Sequence, residues 1–212
     1  YVNDVDEAVE IQKNNPEVQY IAKPLKGSGG YNTNLLNNQS QLQLNCDEKL
    51  IVQEYIEGIN LSSSVLGSEN EAENIVNSRL LTQHDFEKNS QFKYVGNILP
   101  LTEKSILAPV KNTDAINREM ADTSEKLIRK FELIGSNGVD FILNKNGLYV
   151  IEINPRIQGT FECVQQALGI NMLEAHIKAC QNEIISIDKA KYYSYKKIIY
   201  SPKTVKYEKI DL

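Results

Sequence analysis

Residues 138–156 read GVDFILNKNGLYVIEINPR, and no other stretch restricts the fold as sharply. Apolar and polar residues alternate on both sides of a polar turn, the pattern of an antiparallel hairpin with one face in a core. Register decides which face that is. With Lys145-Asn146-Gly147 as the turn and Gly147 in the left-handed region that glycine tolerates, Asn144 faces Leu148 and Asp140 lies directly opposite Glu152. Val139, Phe141, Leu143, Tyr149, Ile151 and Ile153 then share a face fit for burial, and Asp140, Glu152 and Asn154 share the other. A turn one residue shorter or longer would place the carboxylates on opposite faces.

Like charges opposed across a ladder repel, so this register predicts something positive between them. Two carboxylates and a carboxamide oxygen are hard ligands, suited to Mg²⁺ or Mn²⁺ and poor for zinc. Arg156 adds a fixed cation able to pair with a phosphate. Read alone, the same pattern also fits a hairpin whose polar face is simply solvated.

The 212 residues are 41% hydrophobic and 24% charged, an ordinary globular balance with room for one large domain or two small ones. A net charge of -5 and a pI near 5.2 argue against a nucleic-acid partner. No apolar run approaches the ~20 residues that cross a bilayer, so no membrane partner is expected. The chain has 3 cysteines, 2 histidines and no C-x-x-C, which disfavours a disulfide framework and a zinc site. A cytoplasmic setting is the default, and these cysteines and histidines read as structural or incidental. Tyr1 in place of an initiating Met reads as a cut inside a longer protein.

Along the chain, NDVDEAVEIQKNNP has Asp4 and Glu7 at capping-box spacing and stops at Pro16, which predicts a short helix. VQYIAKPL, YNTNLL, KLIVQEYIEG, NLSSSVLG, ENIVNSRLLTQ and FKYVGNIL read as strands. Helical spacing of Ile116, Met120, Leu127, Ile128 and Phe131 marks residues 112–134, and a second helical stretch holds Leu168, Met172, Leu173 and Ile177. The tail KKIIYSPKTVKYEKIDL predicts a small strand pair.

Lys23 stands at a strand end before Gly27, Ser28, Gly29 and Gly30. Glycines let backbone N–H groups approach phosphate oxygens, and the lysine supplies countercharge. No Gly-Lys-Ser/Thr follows, so this is not a Walker loop, and a plain flexible hairpin tip has the same composition. Gln53, Glu54 and Glu57 close the next strand and, taken singly, also fit an ordinary sheet edge.

Taken together, AKPLKGSGG, VQEYIEG and GVDFIL…YVIEINPR follow the order and spacing of the ATP-grasp superfamily, which the chain resembles over about residues 20–180. FKYVGNILPL, EINPRIQGTFE and KKIIYSP further resemble archaeal-type ATP-dependent carboligases, relatives of biotin carboxylase and the carbamoyl-phosphate synthase large subunit. The resemblance implies an α+β ATP-grasp fold, with two antiparallel-sheet subdomains sandwiching Mg-ATP. Residues 1–57 would carry the glycine loop and adenine connector, 58–185 the metal site, and 186–212 a C-terminal strand extension.

It further implies that Lys23 contacts the α/β-phosphates and that amides around Ser28, Gly29 and Gly30 cover the β/γ-phosphates. Gln53 and the backbone of Glu54, Tyr55 and Ile56 would hold adenine. Asp140, Glu152 and Asn154 would bind two Mg²⁺ (or Mn²⁺), with Glu152 bridging. Arg156, with Lys23, would serve catalysis by stabilising the transferring phosphoryl group or the acyl-phosphate. Three departures matter. Asn60 stands where a ribose-binding carboxylate is common, with Glu57 as a substitute; Thr160 stands where carboxylase-type members place a glutamate that handles bicarbonate; and the family's earlier phosphate-binding lysine is expected upstream of Tyr1.

The implied activity is an ATP-dependent carboxylate–amine ligase with small-molecule substrates, a carboxylate being activated as an acyl-phosphate. These residues alone are expected to bind Mg-ATP weakly and to turn nothing over. The competing readings are a non-catalytic nucleotide-binding domain of the same fold and a plain interaction domain. The full set of Asp140, Glu152, Asn154 and Arg156 argues against the first, and the opposed carboxylates against the second.

Overall fold

The computed structural model describes residues 1–36, 49–87, 92–106 and 112–200. Helix α1 (Val5–Asn14) begins where Asp4 Oδ1 accepts from the Glu7 amide at 2.9 Å, while Glu7 Oε2 accepts from the Asn3 amide at 2.8 Å. The expected capping exchange is there, its return bond falling one residue early. The helix packs Val5, Ala8 and Ile11 against a three-stranded antiparallel sheet of order β2-β1-β3, formed by β1 (Tyr20–Pro24), β2 (Asn34–Leu35) and β3 (Leu50–Glu54). Tyr20, Ala22 and Val52 join that core, so alternation turns Ile21, Lys23, Ile51 and Gln53 to the opposite face.

A six-stranded antiparallel sheet of order β8-β7-β4-β5-β6-β9 forms the larger unit. Its strands are β4 (Ile59–Gly67), β5 (Ala72–Thr82), β6 (Tyr94–Leu99), β7 (Gly135–Asn144), β8 (Gly147–Asn154) and β9 (Ser194–Lys197). One face packs Leu61, Val65, Val139 and Phe141 against α2 (Glu103–Ile106) and α3 (Thr113–Lys130), through Ile106, Met120 and Ile128. Part of the other face is covered by α4 (Phe161–Leu168) and α5 (Met172–Cys180), which enclose Leu66, Val76 and Leu99. The rest of that second face, at β4, β7 and β8, carries polar residues.

The hairpin reaches the expected pairing by a different route. Asn144 pairs with Gly147, so Lys145–Asn146 is a two-residue turn, and Gly147 takes φ 138°. A β-bulge at Ile151 then adds one residue to β8, so Phe141 pairs with Val150 while Asp140 still pairs with Glu152. The bulge restores the parity that the shorter turn would have lost. It also redistributes the apolar set: Leu148 packs beside Leu143 in the α3 core, and Tyr149 lies opposite Ile142.

Helix ends differ too. Phe131 caps α3 and is 55% exposed, because the chain reverses at Glu132 before its ring could reach the core. The later helical stretch is broken at Gly169 and restarted by the Asn171 cap; Leu168 and Met172 are buried, whereas Leu173 and Ile177 are about half exposed. In the tail, β9 pairs with β6 at the sheet edge, and residues 201–212 lie outside the described residues.

Candidate active site

β7 is the strand that assembles the site. Across β8 it sets Asp140 opposite Glu152, and across β4 it sets Asp140 opposite Ser62. Ser62 Oγ donates to Asp140 Oδ1 at 2.6 Å. Asn154 Nδ2 donates to Asp140 Oδ2 at 3.0 Å and to Glu152 Oε1 at 3.1 Å, and Arg156 Nη2 donates to Asn154 Oδ1 at 3.1 Å. Gln158 crosses above Gly138, donating from Nε2 to Ser62 Oγ at 3.3 Å and accepting from Ser64 Oγ at 3.1 Å. Asp140, Glu152, Asn154 and Arg156 therefore form one hydrogen-bonded group.

Burial, opposed by the Ser62 hydrogen bond and reinforced by the facing Glu152, pushes the Asp140 carboxyl up to about 6. Only neutral donors serve these carboxylates, and among the described residues no lysine or arginine forms an ion pair with either. The desolvated Asp140, the exposed Glu152 facing it and the missing countercharge fit a hard divalent cation. Histidine and cysteine contribute nothing here, which disfavours zinc.

The raised pKa has a stability consequence. A carboxyl whose folded pKa lies above its unfolded value stabilises the fold fully below about pH 4, and that contribution is lost as pH rises through about 6. Asp140→Asn should remove this dependence and stabilise the metal-free chain at pH 7, by about 1–3 kcal/mol at roughly 1.4 kcal/mol per pKa unit. Urea denaturation at pH 4.5 and 7 checks it; a variant less stable than wild type at pH 7 would contradict the cost assigned to the buried charge.

A separate cleft lies at the connector, with none of Asp140, Glu152, Asn154 or Arg156 in its lining. Glu54, Tyr55, Ile56 and Glu57 face Asn144, Lys145, Asn146 and Tyr149 across a cleft of about 640 Å³. Asn144 Nδ2 donates to the Glu57 carbonyl at 3.3 Å and ties the hairpin turn to the connector. Asn60 lies on the same strand face as Ser62, and its carbonyl accepts from Arg79 Nη1 at 3.1 Å. Lys23 and Gln53 share the face of the small sheet turned away from α1; among the described residues no hydrogen bond joins either to the carboxylate group.

Ser28, Gly29 and Gly30 form consecutive turns, with Tyr31 N donating to Ser28 O at 3.3 Å and Thr33 N to Gly30 O at 3.2 Å. Gly29 O accepts from Tyr94 N at 2.8 Å, so the loop is hung on the start of β6.

Sequence pattern alone does not single out Ser62, Gln158, Tyr94 or Asn97. Ser62 becomes a candidate only once β4 is paired with β7, because the run Ser62-Ser63-Ser64 alone does not say which hydroxyl faces Asp140. The residues read as incidental have other surroundings. His176 Nδ1 accepts from Ser136 N at 2.9 Å, and His84 stacks on Phe92 at 4.9 Å. Cys163 is buried, but Cys180 is exposed at the end of α5, contrary to the burial expected of a free cysteine; Cys46 lies outside the described residues. Alkylating Cys180 should leave nucleotide binding, measured by calorimetry, nearly unchanged.

A family model of the ATP-grasp domain matches residues 6–160. The chain belongs to the ATP-grasp family. Tyramine–L-glutamate ligase of Methanocaldococcus jannaschii is 29% identical over 182 residues, covering 84% of this chain and 48% of that protein. The arginine-specific large chain of carbamoyl phosphate synthase from Bacillus subtilis is 28% identical over 69 residues, 32% of this chain and 7% of that one. Among solved structures, the biotin carboxylase domain of Hydrogenobacter thermophilus 2-oxoglutarate carboxylase, in complex with MgADP and bicarbonate, superposes with a TM-score of 0.65 at 19% identity. That match covers 92% of this chain and 44% of the carboxylase chain. This ATP-grasp chain thus spans about half or less of the length of the proteins it matches.

The α+β architecture read from the sequence is the ATP-grasp fold, with its antiparallel sheets. Ligases and carboxylases are among its relatives, and one neighbour of this fold carries MgADP. Among the described residues no helix is long and apolar enough to cross a membrane.

Proposed function

We propose that the chain carries the nucleotide and metal site of an ATP-dependent carboxylate–amine ligase. The observation that carries this reading is the Asn154 carboxamide, which donates to Asp140 and Glu152 together with Arg156 directly behind it. A solvated strand face has no need to gather two carboxylates, a carboxamide and an arginine into one bonded group.

Asp140 and Glu152 would hold Mg²⁺ or Mn²⁺ with the nucleotide, and Asn154 would join them by turning its carboxamide oxygen, which accepts from Arg156, toward the ion. Bound there, the ion would offset the charge of the phosphate oxygens during transfer. Lys23 and the amides of Ser28, Gly29 and Gly30 would bind phosphate oxygens, and Gln53 with the Glu54–Ile56 backbone would hold adenine. Glu57, with Asn60 beyond it, would serve the ribose. In this reading residues 1–57 and 58–185 are the two jaws, and Ser194–Lys197 extends the larger sheet.

A substrate carboxylate oxygen attacks the γ-phosphorus; its new O–P bond replaces the β,γ bridge, and ADP leaves. An amine nitrogen then attacks the acyl carbon, and the C–O bond breaks to release phosphate, which takes up the amine proton. Arg156 stabilises the transferring phosphoryl and acyl-phosphate oxygens by a planar, permanent charge. Thr160 offers no carboxylate to bicarbonate, so an amine acceptor suits this site better than carboxylation does. ADP release by the intact gene product, screened against paired carboxylates and amines, tests the reading. Release that depends on bicarbonate and not on an amine would overturn it.

A further inference from the structure

The start of β6 lies between the glycine loop and the segment after β8. Phe92 packs on Tyr55 of the connector, with ring centroids 5.5 Å apart. A side chain added at Gly30 would lie 2.0 Å from Phe92 O, and Gly30 holds φ +69°, so the loop sits against this backbone as only glycine can. Tyr94 N donates to Gly29 O at 2.8 Å, and a Cβ added at Gly29 would lie 3.9 Å from Tyr94 Cβ.

The Tyr94 side chain continues in the other direction. Its ring faces Gly159, where an added Cβ would meet Cε1 at 3.5 Å, and its hydroxyl donates to Asn97 Oδ1 at 2.6 Å. Asn97 is wholly buried. Gly159 lies in the segment that carries Arg156, and its carbonyl is held from below by Lys196 Nζ at 2.9 Å. Gln158 pins the same segment to Ser62 and Ser64. One residue thus bonds the glycine loop through its backbone amide and faces the arginine segment with its ring.

We infer that Tyr94 is a positioning residue that couples seating of the Gly27–Gly30 loop to seating of the segment carrying Arg156. The inference rests on the ligase reading, in which the loop covers the phosphates and Arg156 meets the transferring group. Docking the loop fixes the Tyr94 backbone, which fixes the ring, against which residues 157–160 are set. Arg156 would then be in place only when the nucleotide is covered, which keeps an acyl-phosphate from forming in a site open to water.

Each half of the linkage carries its own exposed tryptic site, Lys26 in the loop and Arg156 in the segment. Limited proteolysis of the chain with MgADP therefore reads both at once. MgADP should slow cleavage at Lys26 and at Arg156 in the wild type. Gly30→Ala, which prevents docking, should restore cleavage at both sites, by about fivefold or more at Arg156, the factor of one net hydrogen bond. Tyr94→Ala should free Arg156 alone and make it indifferent to Gly30→Ala, while Tyr94→Phe, keeping the ring, should retain most of the protection. Acceleration at Lys26 only in the Gly30→Ala chain would overturn the coupling and leave the ligase reading standing. Absence of any MgADP protection in the wild type would overturn the nucleotide reading, and the coupling with it.

Discussion

Glu152→Gln in the intact gene product is expected to lower ATP-dependent turnover by about 10²–10³-fold or more, the range seen when one preorganised electrostatic contact is lost. The fold should survive. Glu152 is exposed at its tip and gives up only the Asn154 hydrogen bond at 3.1 Å, which a glutamine oxygen can still accept. What is lost is the negative charge that, with Asp140, would draw a divalent cation into the β7–β8 face. Steady-state ADP release, with circular dichroism as a check on folding, measures both halves. Turnover within about threefold of wild type would remove Glu152 from the site.

Phe141→Ala is expected to cost about 3–5 kcal/mol of stability, the range for deleting a buried aromatic side chain. The ring is 1% exposed and lies in the α3 core beside Met120, Ile128 and Val139. It is also next in sequence to Asp140 and at the bulge, so its anchoring sets which way Asp140 faces. Urea denaturation should show a large fall in midpoint. In the surviving folded fraction, metal affinity should drop as well, whereas Leu173→Ala, on the exposed side of α5, should change neither measurably.

Local pattern made much of this molecule legible. The Asp4 cap, the α3 periodicity and the paired alternation of residues 139–153 each encode an element without help from distant residues. The Asp140–Glu152 pairing was also readable, because burying one face of a hairpin fixes the parity of its strands. The means of achieving it was not: a two-residue turn plus a bulge gives the same parity as a longer turn, and only the packing of Leu148 in place of Tyr149 tells them apart. Ser62, Gln158 and Tyr94 stayed hidden for a related reason. Their roles come from strands and loops far apart in the chain, and nothing local distinguishes Ser62 from Ser63, whose hydroxyl bonds Asn77 on the other face. Phe131 and Ile177 misled in the opposite sense, since apolar spacing continues past the point where the helix meets the core.

The central claim is that Asp140 and Glu152 form a divalent-cation site that works with a nucleotide. Titrating ADP into the chain by calorimetry, with and without Mg²⁺, addresses it in the wild type and in the Asp140→Asn, Glu152→Gln double variant. Mg²⁺ should tighten ADP binding in the wild type, and that enhancement should vanish in the double variant while Mg²⁺-free binding stays about the same, because the cleft at Glu54–Glu57 is untouched. Equal enhancement in both proteins would place the metal elsewhere and contradict the assignment.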